Sequence, residues 1–141
     1  MGLFMNRYPY LRAYMAGITI PTILLIFAMT VFTIARYVYN VSIPIERIIV
    51  FPMAIVPNLW GIWNIFYLFL RSHRYLPIGF HGALLAFVQA SLVFGITRVV
   101  HFEIPTFVAS VFPIGFPVFV IVFYLIWKHV VGFFNALLGI A

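Results

Sequence analysis

Four polar side chains lie deep inside long apolar stretches of the sequence, where any residue that binds or reacts within a membrane would have to be. They are Asn58, Asn64, His81 and Gln89. Asn58 and Gln89 fall near the middle of their stretches and are candidate ligands for a substrate in a cleft. Side-chain amides in helical bundles more often join neighbouring helices by hydrogen bonds. We favour this structural role and keep the cleft as the alternative.

Acidic residues are restricted to Glu46 and Glu103, and both lie at or outside the ends of the apolar stretches. Proton-coupled and sodium-coupled transport usually depends on a carboxylate inside the membrane. With so few acids, neither a hydrolytic triad nor a metal cluster can be assembled from the sequence. We therefore predict that the chain is not an enzyme and has no catalytic residues and no metal site.

Histidine pairs leave haem as an alternative to the absence of any cofactor. The chain has no cysteine, so covalent haem attachment and thiolate ligation are excluded. His81 and His101 would lie near opposite ends of one helix, roughly 30 Å apart, which is too far for axial ligation. His81 with His129 is the remaining pair. We expect no cofactor, with haem b as the alternative.

The composition indicates that these polar residues belong to a membrane protein. Hydrophobic residues make up 66% of the 141 residues and charged residues 7%, and the mean hydropathy is +1.19. A soluble domain carries roughly 25% charged residues. The net charge of +6 arises from basic residues that flank apolar stretches, so it does not indicate a nucleic-acid partner.

The charged residues divide the chain into four apolar spans of 23 or 24 residues, which are residues 13–35, 48–70, 75–97 and 104–127. Each would form a helix of roughly 35 Å, enough to cross a hydrocarbon core of about 30 Å. We predict an all-α membrane protein with four transmembrane helices.

Charge asymmetry between the two sides predicts the orientation of the four spans. The side that holds both termini and the middle loop carries five basic residues, namely Arg7, Arg12, Arg71, Arg74 and Lys128. The other side carries three, which are Arg36, Arg47 and Arg98. Because Lys and Arg concentrate on the cytoplasmic side, we predict that both termini are cytoplasmic.

The first and third spans resemble each other at an offset of 62 residues, which indicates an internal repeat. The identical pairs are Arg12/Arg74, Gly17/Gly79, Ala28/Ala90, Val31/Val93, Phe32/Phe94, Ile34/Ile96 and Arg36/Arg98. We predict a tandem pair of helical hairpins related by a pseudo-two-fold axis along the membrane normal. Coincidence among common apolar residues is the alternative.

The repeat defines four predicted segments. Residues 1–12 form an interfacial N-terminal segment, residues 13–73 the first hairpin, residues 74–129 the second hairpin, and residues 130–141 an interfacial amphipathic tail. The tail is too short to span, and its apolar residues share one helical face that would lie on the membrane or on a partner.

Prolines and ion pairs complete the sequence prediction. The second helix of each hairpin carries prolines at depth that should kink it, namely Pro52 and Pro57, then Pro113 and Pro117. On the non-cytoplasmic side, we predict interfacial ion pairs among Arg36, Glu46, Arg98 and Glu103. The alternative is that each arginine extends to lipid phosphate.

These observations favour a non-catalytic integral membrane subunit or scaffold that packs within a larger membrane complex. The loops are short, and the spans lack the carboxylates that couple transport to an ion gradient. The expected partners are membrane lipids and other membrane subunits or further copies of the chain. The alternative is a small carrier, channel or lipid-binding protein that uses a cleft between the two hairpins.

Overall fold

The computed structural model describes residues 8–49, 54–71, 76–99, 101 and 106–140, and this part of the chain is helical and without strands. The elements are α1 (Pro9–Tyr37), α2 (Ile45–Ile48), α3 (Val56–Arg71), α4 (Ile78–Val99), α5 (Thr106–Leu125) and α6 (Gly132–Leu137). A π-helical segment, Ile126–Val131, joins α5 to α6. The prediction of an all-helical chain is confirmed, whereas the tandem-hairpin arrangement stays a prediction.

Within the described residues, three helices are long and apolar enough to cross a membrane: Pro9–Tyr37, Ile78–Val99 and Ala109–Leu137. They overlap the first, third and fourth predicted spans. The second predicted span, residues 48–70, includes residues 50–53, which lie outside the described part of the chain. Its described helix, α3, has 16 residues, or about 24 Å, which is less than a hydrocarbon core of about 30 Å. The fourth crossing and the orientation therefore stay predictions.

The first half of α1 packs through small residues, and its second half has no buried residues. The buried residues are Ala13, Ala16, Gly17 and Pro21, while residues 22–37 are half-buried or exposed. Pro21 lacks the N–H that would bond to the carbonyl of Gly17, which is a break that the sequence prediction did not consider. Small side chains allow close backbone contact, so α1 makes its tight packing in this first half.

The chain divides into two compact units, and unit 1 consists of Met1–Leu70 together with Asn135–Ala141. Inside unit 1, α1 and α3 are in backbone contact. A Cβ atom built on Gly17 would lie 2.6 Å from the carbonyl oxygen of Trp60 and 2.9 Å from the Cα of Gly61. No side chain fits in that space, so Gly17 determines how closely the two helices approach.

Unit 2, Arg71–Phe134, is held by a glycine contact and by aromatic pairs. A Cβ atom on Gly82 of α4 would lie 2.5 Å from the carbonyl oxygen of Phe123. On both sides of this contact along α4, rings of α4 and α5 meet edge to face with centroids 5.0 to 5.6 Å apart, in the pairs Phe80/Tyr124, Phe87/Phe116 and Phe94/Phe112. Edge-to-face pairs stabilise a contact by about 0.5 to 1.5 kcal/mol each beyond area burial.

Prolines lie inside α5 at Pro113 and Pro117, while Pro57 lies in the first turn of α3. The helix that contains Pro113 and Pro117 continues through the π-helical segment and ends at Leu137, without a break at the boundary predicted between residues 129 and 130. The wider i→i+5 bonding of the π-helical segment turns the side chains that follow it to a new direction. Pro52 and residues 1–7 lie outside the described residues.

Candidate functional site

Two buried asparagines in unit 1 form the most highly organised polar cluster in the described residues. Asn64 of α3 donates through Nδ2 to Oδ1 of Asn135 at 2.8 Å, and Asn135 donates through Nδ2 to Oδ1 of Asn64 at 3.1 Å. Asn64 also donates to the backbone carbonyl of Ala13 in α1 at 2.7 Å. Both side chains are buried, with 0% exposure at Asn64 and 2% at Asn135. One cluster thus joins α1, α3 and the end of α6.

The end of α6 is closed by bonds of its own. The N–H of Gly139 donates to the carbonyl of Ala136 at 3.0 Å, and the N–H of Ile140 donates to the carbonyl of Asn135 at 2.8 Å. Gly139 has a φ of 66°, the left-handed conformation that glycine adopts without strain. These features are those of a Schellman cap, in which the residue after glycine, here the buried Ile140, makes an apolar contact.

Arg12 of α1 adds a charged contact to the same helix end. Its Nη1 donates to the carbonyl oxygen of Leu138. Carbonyl groups at a helix C-terminus carry partial negative charge, so a guanidinium there is favourable. We call residues 135–140 the strap, because Asn64 and Arg12 hold it at its two ends.

The sequence analysis did not predict the strap, because it considered only the apolar face of the tail and assigned no contact to Asn135. An interfacial helix directs its polar face to water, whereas here Asn135 faces the protein, and Phe133 and Leu137 are exposed. Inside a membrane, small and polar residues are the ones that pack between helices. An asparagine followed four residues later by a glycine, within an apolar helix, was the signal that could have identified a buried helix end.

Asn58, a predicted cleft residue, lies in unit 1 on an exposed part of α3. Its Oδ1 accepts a hydrogen bond from the Tyr14 hydroxyl, and its Nδ2 donates to the carbonyl of Ala54. Both polar ends of the Asn58 amide are therefore engaged by α1 and by the preceding turn.

His81 and Gln89 lie in unit 2. His81 is buried in α4, next to Gly82, whereas Gln89 is half-buried. His129, the second histidine of the haem alternative, is exposed. The four predicted cleft residues are thus divided between the two units, with Asn58 and Asn64 in unit 1.

In unit 1, Arg36 in the last turn of α1 forms an ion pair with Glu46 of α2. Arg36 Nη1 lies 2.9 Å from Glu46 Oε1 and also donates to the carbonyl of Ile43 at 3.4 Å. A backbone hydrogen bond to the Glu46 carboxylate, followed by the bond from Arg36, lowers the pKa of this group from its ordinary value. Arg98 is the basic residue in the last turn of α4, which ends at Val99. Its predicted partner Glu103 lies outside the described residues.

The chemistry of the amide cluster is that of recognition and packing. Carboxamides do not titrate, so Asn64 and Asn135 can neither transfer protons nor neutralise an ion. In the part of the chain that the structure describes, the three helices long enough to span contain no Asp or Glu. What the cluster provides is a set of directed hydrogen bonds between helices in apolar surroundings.

Comparison of the chain with protein-family models, with curated proteins and with solved structures finds no match.

Proposed function

We propose that the chain is a non-catalytic integral membrane subunit or scaffold, which packs against other membrane proteins. The observation that carries the proposal is the closed amide cluster. The amide nitrogen of Asn64 donates to Ala13 and to Asn135, and its amide oxygen accepts from Asn135. A deep polar group used in this way holds helices together and is not offered to a substrate.

The bare apolar surface of the long helices supports the same proposal. In the second half of α1, Phe27 is 70% exposed, and in α5 Ile114 is 78% exposed. Such surfaces are covered by lipid or by the helices of other subunits. A subunit of this size contributes to an assembly through these helix surfaces, since its predicted loops are short.

The tandem-hairpin architecture is part of this proposal, and the glycine contacts support it. In unit 1, Gly17 meets the carbonyl of Trp60 and the Cβ of Asn64, four residues apart. In unit 2, Gly82 meets the carbonyl of Phe123 and the Cβ of Trp127, again four residues apart. The same contact thus occurs once in each unit. By this contact, Gly17 of unit 1 corresponds to Gly82 of unit 2. The sequence offset of 62 residues would instead make Gly17 correspond to Gly79.

Site-specific photo-crosslinking in the native membrane tests the scaffold proposal. A photoreactive phenylalanine analogue at Phe27 or at Ile114 should give an adduct with a protein of discrete mass. The matched control is the same analogue at Leu85, which has 0% exposure and should give none. Adducts with lipid alone at both exposed positions would count against a subunit role.

The alternative function, a small carrier or lipid-binding protein, is favoured by one feature of unit 1. Asn58 and Tyr14 form a polar pair at an exposed position of α3, within an otherwise apolar surface. Scrambling of a fluorescent phospholipid by vesicles that contain the wild-type chain, and its loss in Asn58→Leu, would favour this alternative over the scaffold.

A further inference from the structure

The strap supplies groups that the rest of unit 1 needs. The Oδ1 atom of Asn64 accepts a hydrogen bond from Asn135, and the Nδ2 atom of Asn64 donates a hydrogen bond to Asn135. Removing the strap would leave these buried groups without their partners in apolar surroundings, which is unfavourable. The helices α1 and α3 therefore favour the closed position of the strap.

The strap also has an internal structure that does not depend on the helices it contacts. The Schellman cap bonds run from Gly139 to Ala136 and from Ile140 to Asn135, so donors and acceptors all belong to residues 135–140. Residues 135–137 are the last residues of α6, which begins at Gly132. The strap therefore leaves and returns as the capped end of that helix, in a local opening that does not require the whole chain to unfold.

Two anchors of different chemistry connect the strap to α1 and α3. At its start, Asn135 exchanges hydrogen bonds with Asn64, and near its end Leu138 accepts from Arg12. The opposite side of the strap is uncovered, since Leu137 is 62% exposed. Nothing in the described residues holds that side in place.

We propose that residues 135–140 are a closing strap, which opens and closes on α1 and α3 as a unit while α4 and α5 stay packed. Its latch is the reciprocal amide pair of Asn64 and Asn135, with Arg12 as the second anchor. The strap thereby makes the packing of α1 on α3 depend on Asn135, which lies 71 positions after Asn64.

Thiol labelling gives a direct test, because the full sequence contains no cysteine and each engineered thiol is unique. Ile140→Cys reports strap opening, since Ile140 is buried at 7% exposure. Phe123→Cys, at 6% exposure, reports opening of unit 2. Leu137→Cys, at an exposed position, gives the rate of unprotected labelling in the same preparation. The full chain is labelled with a maleimide in vesicles.

In the Asn64→Leu background, the Ile140→Cys thiol should react about tenfold faster than in the wild type, while the Phe123→Cys thiol keeps its slow rate. The matched control Asn58→Leu makes the same chemical change at an exposed asparagine and should leave both rates unchanged. Arg12→Gln, which adds no apolar group to the interior, should also accelerate the Ile140→Cys reaction alone.

The strap is overturned if Ile140→Cys stays protected in both Asn64→Leu and Arg12→Gln. It is equally overturned if both backgrounds accelerate the two reporters together, because residues 135–140 would then open only with the whole chain. The Arg12→Gln background separates these results from a general failure of Asn64→Leu to fold.

Discussion

Asn64 and Asn135 are separated by 71 residues in sequence and exchange hydrogen bonds in both directions inside unit 1. Each is the buried partner of the other, so the pair joins the middle of the chain to its late part. In apolar surroundings, a carboxamide without a partner is costly. The relationship therefore predicts how substitutions at either position will behave.

Removing the Asn64 side chain should destabilise the protein. We expect Asn64→Ala to lower the free energy of unfolding by about 1 to 3 kcal/mol, because the buried Asn135 amide and the Ala13 carbonyl lose their partner. Thermal unfolding in detergent, followed by circular dichroism, measures the effect. Asn58→Ala is the matched control, since Asn58 is exposed, and it should shift the melting temperature much less. Equal shifts in the two variants would contradict the interpretation.

A second prediction concerns the closest backbone contact in unit 2. Gly82→Leu should prevent α4 from packing on α5, because the new Cβ would lie 2.5 Å from both the Phe123 carbonyl oxygen and Trp127. Overpacking of this kind costs typically about 1 to 3 kcal/mol or more. Gly95→Leu lies in the same helix and has no atom within 4 Å of its new Cβ. The melting temperature should fall in Gly82→Leu and hold in Gly95→Leu, and a similar fall in both would disprove the close contact.

The sequence predicted the helical class and the three helices that are long and apolar enough to cross a membrane, because these depend on local properties. An uncharged stretch can adopt few other structures in a membrane when, as a helix, it is longer than the hydrocarbon core is thick. The hydrogen bond between Asn64 and Asn135 depends instead on which helix faces meet, and neither periodicity nor hydropathy encodes that. The π-helical segment Ile126–Val131 adds a further rotation. A helical face that is assigned by assuming 3.6 residues per turn is therefore wrong for the residues that follow this segment.

The contact made by Asn135 in the tail could not be predicted, for a different physical reason. Hydrophobic periodicity identifies two faces of a helix but does not state which one meets the protein. In water the apolar face is buried, whereas in lipid the polar and small residues are. Gly132, Asn135 and Gly139 form the small and polar face, and Asn135 is buried. Locating a polar contact in a membrane protein therefore requires the three-dimensional structure.

The cap of the strap predicts an effect specific to one glycine. Gly139→Ala should destabilise the protein by roughly 1 kcal/mol, because a φ of 66° is unfavourable for a residue with a Cβ atom. Gly132→Ala is the matched control, since its Cβ would make ordinary contacts at 3.5 and 3.8 Å within a helix. Chemical or thermal denaturation should separate the two variants. A Gly139→Ala protein as stable as Gly132→Ala would be inconsistent with the described cap.

The aromatic pairs of unit 2 should be energetically coupled. Phe87 and Phe116 meet edge to face with centroids 5.0 Å apart. In a double-mutant cycle with Phe87→Leu and Phe116→Leu, we expect a coupling free energy of about 0.5 to 1.5 kcal/mol. The control cycle pairs Phe87→Leu with Phe133→Leu, whose ring contacts Phe134. Additive effects in the first cycle, within the error of the melting data, would show that the two rings do not interact.

The ion pair of Arg36 and Glu46 predicts a small contribution to stability that depends on pH. The pKa of Glu46 is lowered in the folded protein, first by a backbone hydrogen bond and then by the bond from Arg36. A carboxyl group whose pKa is lowered on folding stabilises the protein at pH values above its unfolded pKa. That contribution is lost as the pH falls through the folded pKa. At neutral pH, Glu46→Gln should therefore melt at a lower temperature than the wild type.

The size and sign of this difference are both testable. The Glu46 side chain is 74% exposed, so solvent and salt screen the pair and the shift should be small at low ionic strength and smaller in concentrated salt. Melting curves of wild type and Glu46→Gln should differ at pH 7 and converge as the pH falls below the ordinary glutamate value of 4.5. Insertion into the membrane should be unchanged, because orientation depends on Lys and Arg. If the two proteins melt together at pH 7 in low salt, the pair contributes nothing to stability. A difference that grows on acidification would reverse the assigned direction of the pKa shift.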